Sequence, residues 1–569
     1  MNTENAPGAN HLHRLQISPR ALMLILLTAF LIMLPRLLNP SFNLLDDGVT
    51  LLNAHAMTKY VSGTLTQGSA IGRFFPGYLI INFLIFTIAG DSAFAFFIAN
   101  YLALAGIATG LYCFAGALGA NRIQALIAAL LLLFVGPIIE SFYTISRQEP
   151  FYLLFIVASL IIASRYSNSF SRSKRISVFL STLITISFAY FTKEPAIAMV
   201  PISLGWLILG RFTIDQSDPP QFSLSSRKMY FLANIIACGC YWAVRVQFVP
   251  LKSVGGYLLG WTTLFSAISY YGALFSRDFA YLLPLVVFLI FLRPRVQKAI
   301  LVDASLWMLG WLAVFVPWPI RVEYYLLPFT LGPALMGGVI AEQIISSIQK
   351  PAKLAERSIS TALLGTAALL FIMCVANNVT NARVQISVDS ANSEMLQGLS
   401  KLPPNSKIMI NLSESNEYLY EIGIHIKLFY HRTDLHVEAY KEDPALLAGM
   451  PGPCYLATPF IANRITPSVR VPVEDGDRPL LLRRISSFIG HRPKEIVTVI
   501  RQFHYIDFGI HRIFCLLLNA FPNFHICGAL RDVPRAFIDC REFSYGWRVF
   551  EVIGDVKASQ RDGAVRGER

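Results

Sequence analysis

The sequence predicts an α-helical polytopic membrane protein, with about eleven transmembrane helices and additional juxtamembrane helices, that carries a C-terminal extramembrane α/β domain. Three observations predict it. Of 569 residues, 54% are hydrophobic and only 15% charged, whereas soluble chains carry about 25% charged residues. The apolar residues fall in successive runs between Ala21 and Asn377. From about Asn378 to Arg569 no run reaches the roughly 18 residues that a spanning helix needs. These features exclude a soluble enzyme, a disordered chain, a coiled coil and a small disulfide scaffold.

Residues 1–20 are polar and are expected to form a cytoplasmic tail. The first apolar run lacks a small-residue cleavage site and reads as a retained anchor. Domain 21–377 then holds spans at about 21–38, 92–117, 122–139, 150–164, 176–191, 196–210, 229–248, 279–292, 299–317, 324–346 and 358–376. The segment Gly77 to Gly90, GYLIINFLIFTIAG, decides the parity. As a helix it would rise only about 21 Å against a hydrocarbon core of about 30 Å. If it does not cross and the N-terminus is cytoplasmic, inner segments hold 16 basic residues and outer loops hold 7. That bias obeys the positive-inside rule, so the +13 formal charge reads largely as a topology signal. No basic and aromatic stripe suits nucleic acid. The C-terminal domain, 378–569, is placed on the outer face. Its SKIMINL, DLHVEAY, CYLATPF and YGWRVFEVI segments read as strands and SNEYLYEIGIHIKLFYH as a helix.

The same parity gathers Asp46, Asp47, Glu140, Glu149, Glu194, Asp278 and Glu323 on the outer side, at or near span ends. Ionisable groups at membrane depth are costly and usually face a protein interior or a wet cavity. The strongest local signal is SFNLLDDGVTLLNAHAMTKYVSG. Its Asp pair can cap a short helix lying on the membrane, or supply a carboxylate acting as general base toward a hydroxyl. The ten histidines show no metal-ligand spacing. Cys454, Cys515, Cys527 and Cys540 could pair only in an oxidising compartment.

Several motifs occur together and in order. After the aspartate pair comes GRFFPGYLIINFLIF, then GDSAFAFFIANYLALAGIATGLYCFAGALGANRIQALIAALLLLFVGP, SRQEPFYLLF, FAYFTKEPAIAMVP and PIRVEYYLLP. This arrangement, over roughly residues 21–376, resembles the GT-C superfamily of membrane glycosyltransferases. The branch it resembles is family 39-like and contains protein O-mannosyltransferases and the lipid A aminoarabinose transferase. The resemblance implies a polyprenyl-phosphate-linked sugar as donor, a lipid, glycan or protein acceptor, and action at the outer face of a bacterial inner membrane. Asp46 matches the family's first-loop catalytic aspartate, and Asp47 stands where Glu is usual. Glu149 occupies the place of a second acid that is usually Asp. Arg73, Lys193 and Arg321 are the cations implied for phosphate binding, with Tyr324 following the last, and Glu194 stands where the family has a glycine beside the lysine. Asp46, Asp47 and Glu149 also have the oxygen ligands a hard cation such as Mg or Mn takes, though no spacing requires one. Two rival classes are a flippase or transporter for lipid-linked sugars and a non-catalytic envelope scaffold. A transporter would show midplane acids and internal repeats, and neither is evident.

Overall fold

The structure, a computed structural model, describes residues 18–65, 73–166, 170–214, 220–249, 261–292, 297–318, 321–349, 354–411, 416–440, 453–462, 494–508 and 538–552. The membrane part consists of α1 (Pro19–Leu38), α2 (Asp47–Met57), α3 (Val61–Leu65), α4 (Pro76–Ala89), α5 (Ala93–Ala117), α6 (Arg122–Leu133), α7 (Gly136–Phe142), α8 (Glu149–Ser164), α9 (Arg172–Thr192), α10 (Met199–Thr213), α11 (Leu224–Phe248), α12 (Trp261–Asp278), α13 (Leu282–Leu292), α14 (Lys298–Phe315), α15 (Leu331–Gln349) and α16 (Leu354–Ser400). Among the described residues, eight helical stretches are long and apolar enough to cross a membrane, or ten if two bent pairs each count once. The chain is a polytopic helical membrane protein with a small sheet.

Sequence punctuates these helices in physical terms. Ser18, Ser171 and Ser223 accept amide bonds at the starts of α1, α9 and α11, and Asn121 with Gln124 forms a reciprocal capping box on α6. The predicted span 122–139 is broken by 59° between α6 and α7. Pro137 opens the new helix, where a missing amide does no harm. Asn378 then donates to the Phe134 carbonyl at the break, because a backbone group freed at depth needs a partner. The second break, of 84°, separates α12 from α13. Arg277 there pairs with both Asp278 and Glu323, so Glu323 is held by Arg277.

The helix ends meet in two groups. At one end Phe222 N–H bonds the Ala117 carbonyl, Ser226 Oγ bonds the Tyr166 carbonyl and Gln297 bonds the Gly119 carbonyl. This gathers the ends of α5, α8, α11 and α14 beside the start of α1. At the other end lie the close of α1, the 143–148 loop, the close of α9 and the break at 134. Both ends of α4 belong to this second group. Gly77 packs against the backbone of Phe191, and Tyr78 Oη donates to the Ile145 carbonyl. Four residues beyond α4, α5 opens beside the end of α1, with Phe96 against Phe42 and Phe97 beneath Arg36. Helix α4 therefore starts and ends within the same group of helix ends.

Helix α16 is a single run of 47 residues, about 70 Å long at 1.5 Å per residue. Its first part is apolar enough to span and its end enters the C-terminal domain, so the expected boundary at 377/378 falls inside a continuous helix. The domain adds β1 (Lys407–Ile410), α17 (Asn416–Phe429), β2 (His436–Ala439), β3 (Cys454–Ala462), β4 (Lys494–Phe508) and β5 (Ile538–Glu551). Strand order is β2-β1-β3-β5-β4. Strand β1 runs parallel to β2 and β3, and β5 runs antiparallel to β3 and β4. The sheet sits on the end of α16, where buried Asn392 accepts from Tyr545 Oη at 2.7 Å and Trp547 Nε1 at 2.8 Å. Strand β4 was not anticipated. Cys454 is a buried free thiol in β3, whereas Cys515, Cys527 and the tail 1–17 lie outside the described residues.

Candidate active site

The loop after α1 turns into α2 at Asp46, which takes a left-handed conformation, φ 70° and ψ −10°. Among non-glycine residues, Asp is one of the few that tolerates this region. The turn sends two neighbouring carboxylates in opposite directions. The Asp46 side chain is 55% exposed and stands 3.6 Å from Arg147. Asp47 is completely buried, and accepts the amides of Asn43 at 2.9 Å, Ile145 at 3.1 Å and Ser146 at 3.0 Å. Burial pushes its carboxyl up to about 7, against the Asn43 amide and the Arg36 charge that pull it down. Asp47 thus clamps the first loop to the loop before α8, and its oxygens are committed. Of the two aspartates expected to share the chemistry, Asp46 presents an exposed carboxylate and Asp47 does not.

Arg147 is the centre that sequence reasoning missed. It is buried between Asp46 and Tyr324, with its guanidinium 4.1 Å from the Tyr324 ring centroid. Lys193 lies 5.4 Å from the same ring and 5.0 Å from that of Tyr325. Two cations therefore meet Tyr324, a geometry in which the π face offsets part of the cost of buried positive charge. The Lys193 ammonium is paired with Glu149. Burial lowers it to about 8, against the Glu149 carboxylate that holds it up. The other Glu149 oxygen, Oε2, is buried without a hydrogen-bond partner.

Arg73 completes the wall. It reaches the Gln148 side chain at 3.4 Å and Glu194 at 3.9 Å, while Glu194 also accepts the Phe74 amide at 3.0 Å. The glutamate standing in place of glycine thus fastens the start of the α4 segment to the turn after α9. Asp46, Arg147, Tyr324, Lys193, Glu149 and Arg73 form one continuous cluster. Arg321 stands on the α12 side, within electrostatic range of Tyr271.

The C-terminal domain reaches the same loop. From α17, Glu421 accepts the amides of Gly48 at 2.7 Å and Val49 at 3.0 Å, and Phe42 stacks on Phe429 at 5.2 Å. Between α2, α17 and β2 opens a cleft of about 800 Å³, walled by residues such as Leu52, Ile424 and Leu428 and bordered by Lys427 and Glu438.

As a cation cage, Asp46, Asp47 and Glu149 do not fit: Asp47 is saturated by amides and Glu149 holds Lys193. Among the described residues no group of three or more His, Cys, Asp or Glu side chains converges as metal ligands would.

Fold and site together define a polytopic membrane protein with a cluster of buried cations and one exposed carboxylate beneath an extramembrane domain. No protein-family model and no curated sequence matches the chain. Among solved structures it is similar to ArnT from Cupriavidus metallidurans bound to undecaprenyl phosphate, at 13% identity and TM-score 0.44, over 78% of this chain and 93% of that one. It is also similar to the oligosaccharyltransferase from Archaeoglobus fulgidus in the apo form, at 12% identity and TM-score 0.44, over 77% of this chain and 69% of that one. AglB from the same organism, in complex with an inhibitory peptide and a dolichol-phosphate, gives 12% identity and TM-score 0.45 over the same shares.

Proposed function

We propose that the protein is an integral-membrane glycosyltransferase that moves a sugar from a polyprenyl-phosphate donor to an acceptor hydroxyl, with Asp46 as general base. The reading places the site on the outer face of a bacterial inner membrane, with a lipid, glycan or protein as acceptor. One observation carries it: the exposed Asp46 carboxylate stands at the edge of a wall of cations, with Arg147 and Lys193 buried and Arg73 half-exposed beside them.

The chemistry follows from how loosely two of those cations are held. A charge-assisted N–H to O contact closes to about 2.7–2.9 Å. Arg147 to Asp46 is 3.6 Å and Arg73 to Glu194 is 3.9 Å. A phosphate entering between them is the stronger partner for either guanidinium, since arginine grips phosphate in two places. As Arg147 turns to the phosphate, Asp46 is released to accept a proton from the acceptor hydroxyl. The hydroxyl oxygen then bonds to the anomeric carbon, the bond from that carbon to the phosphate oxygen breaks, and the departing polyprenyl phosphate takes the electron pair, with inversion. Once the donor is bound, charge on the leaving phosphate is met by Arg147, Arg73 and Lys193, which are in place before the bond breaks.

Purified protein tests this with a radiolabelled polyprenyl-phosphate sugar. Asp46→Asn is expected to lower kcat about 10²- to 10⁴-fold, the usual contribution of a general base, and to leave donor KM within a few-fold. Full activity in Asp46→Asn overturns the assignment.

A further inference from the structure

Helix α2 has an unusual beginning. Its N-cap residue is Asp46, a residue type that ordinarily turns its carboxylate back onto the amides two and three positions on. Here Asp46 makes no such bond. Those two amides, Gly48 and Val49, are taken by Glu421, one by each carboxylate oxygen. The cap comes from more than 370 residues away, in another domain. Its carboxylate is buried, as is His425, whose Nε2 lies 3.5 Å from Glu421 Oε2.

The fit is close on the α2 side as well. A methyl group at Gly48 would lie 2.8 Å from His425 Cδ2 and 3.0 Å from His425 Nε2, besides colliding with the Glu421 carboxylate. Only glycine lets α17 come this near. The packing of Phe42 against His425 and Phe429 closes the other side of the contact.

Glu421 and Asp46 are therefore competitors for one pair of amides. While Glu421 holds them, the Asp46 carboxylate has no use as a cap and points outward, toward Arg147. Without Glu421 the amides are orphaned, and Asp46 can satisfy them once its backbone leaves the left-handed region for the extended conformation of an ordinary N-cap. Turning inward would take it out of reach of an acceptor hydroxyl. We propose that Glu421 is a positioning residue, by which the C-terminal domain holds the Asp46 carboxylate outward and so makes the base available. The proposal rests on the reading of Asp46 as the base for its consequence in catalysis, but the direction of the Asp46 side chain can be measured apart from it.

The test uses the full-length protein in detergent. Solvent-reachable carboxylates are coupled to glycine ethyl ester with a carbodiimide and the extent of labelling at Asp46 is read by fragmentation mass spectrometry. In wild type Asp46 labels, and buried Asp47 does not. In Glu421→Ala and in Gly48→Ala, labelling at Asp46 is expected to fall at least threefold. Glu421→Gln keeps an acceptor oxygen for one amide and is expected to recover part of the labelling. Unchanged labelling at Asp46 in Glu421→Ala overturns the proposal whatever the activity does. Transfer assays supply the second arm. Glu421→Ala is expected to reduce kcat at least tenfold with donor KM within twofold, and to have no further effect in an Asp46→Asn background. Losses that multiply in the double variant would mean that Glu421 does not act through Asp46, and would overturn it too. If labelling responds as expected while wild type transfers no sugar, the positioning stands and the glycosyltransferase reading fails.

Discussion

The two ends of the helix bundle both bury arginine beside carboxylate, and they finish the job differently. At the end where α1 begins, Arg227 uses four of its five N–H donors: it donates to both oxygens of Asp303, at 2.8 and 2.5 Å, and to the carbonyls of Trp206 and Phe222. At the opposite end Arg147 has a ring face on one side, a carboxylate at 3.6 Å on the other, and a buried Nε without a hydrogen-bond partner. Both arginines are almost fully buried. A buried cation held at close range by both oxygens of one carboxylate and by two carbonyls is architecture, because its charge is already matched. One with donors unused and a distant partner is poised to accept another anion. The contrast locates the candidate site without reference to any motif.

The largest expected effect comes from breaking the closed end. Arg227→Met leaves Asp303 uncompensated in the bundle and is expected to lower unfolding stability by about 3–5 kcal/mol. Replacing both partners, Arg227→Met with Asp303→Leu, should recover most of that loss, since an apolar pair has no charge to desolvate. Thermal unfolding in detergent measures both, and transfer per folded molecule should not change. Arg147→Gln is the matching test at the open end. Asp46 is exposed and can be hydrated when its partner is lost, so stability should move by less than about 1 kcal/mol, while kcat/KM for the donor falls about 10- to 100-fold. If Arg147→Gln unfolds the protein as Arg227→Met does, the two ends are alike and the contrast is void.

The same contrast explains what could be seen in the sequence. Spans are legible because eighteen apolar residues have few other uses, and the break at Pro137 lies inside a run, 122–139, that composition alone reads as continuous. Asp46, Glu149, Lys193, Arg73 and Tyr324 were all named from motifs, and they converge. Arg147 stood in plain sight in SRQEP, two residues before Glu149, but a basic residue in an outer loop counts first as a topology signal. Asp46 and Asp47 are the same residue type side by side, and one backbone dihedral decides which is exposed; no composition or spacing carries that information. Glu421 was further out of reach, since its partner amides belong to a different domain. Strand β4 shows the reverse case. Its KEIVTVIRQFHYIDF alternates as a strand should, and the signal was available.

Lys193 gives the smallest effect, and separates the two ends by titration. Arginine does not lose its proton at accessible pH, so the Arg227 pair is indifferent to alkaline conditions. Burial leaves Lys193 at about 8, below the ordinary lysine value of about 10.4. Because the native state releases this proton first, folding stability should rise between about pH 8 and pH 10.5, as the uncharged native form gains on an unfolded chain that still binds the proton. Donor binding should change in the opposite sense. Below pH 8 the ammonium is charged and contributes to holding phosphate; above it donor KM should climb, by at most about tenfold per pH unit, with kcat less affected. Lys193→Arg keeps the charge throughout and should abolish the alkaline limb of the KM profile. A wild-type KM that is flat from pH 7 to 9.5, or a limb that survives in Lys193→Arg, would show that Lys193 serves Glu149 and the fold, and would move the open end closer in kind to the closed one.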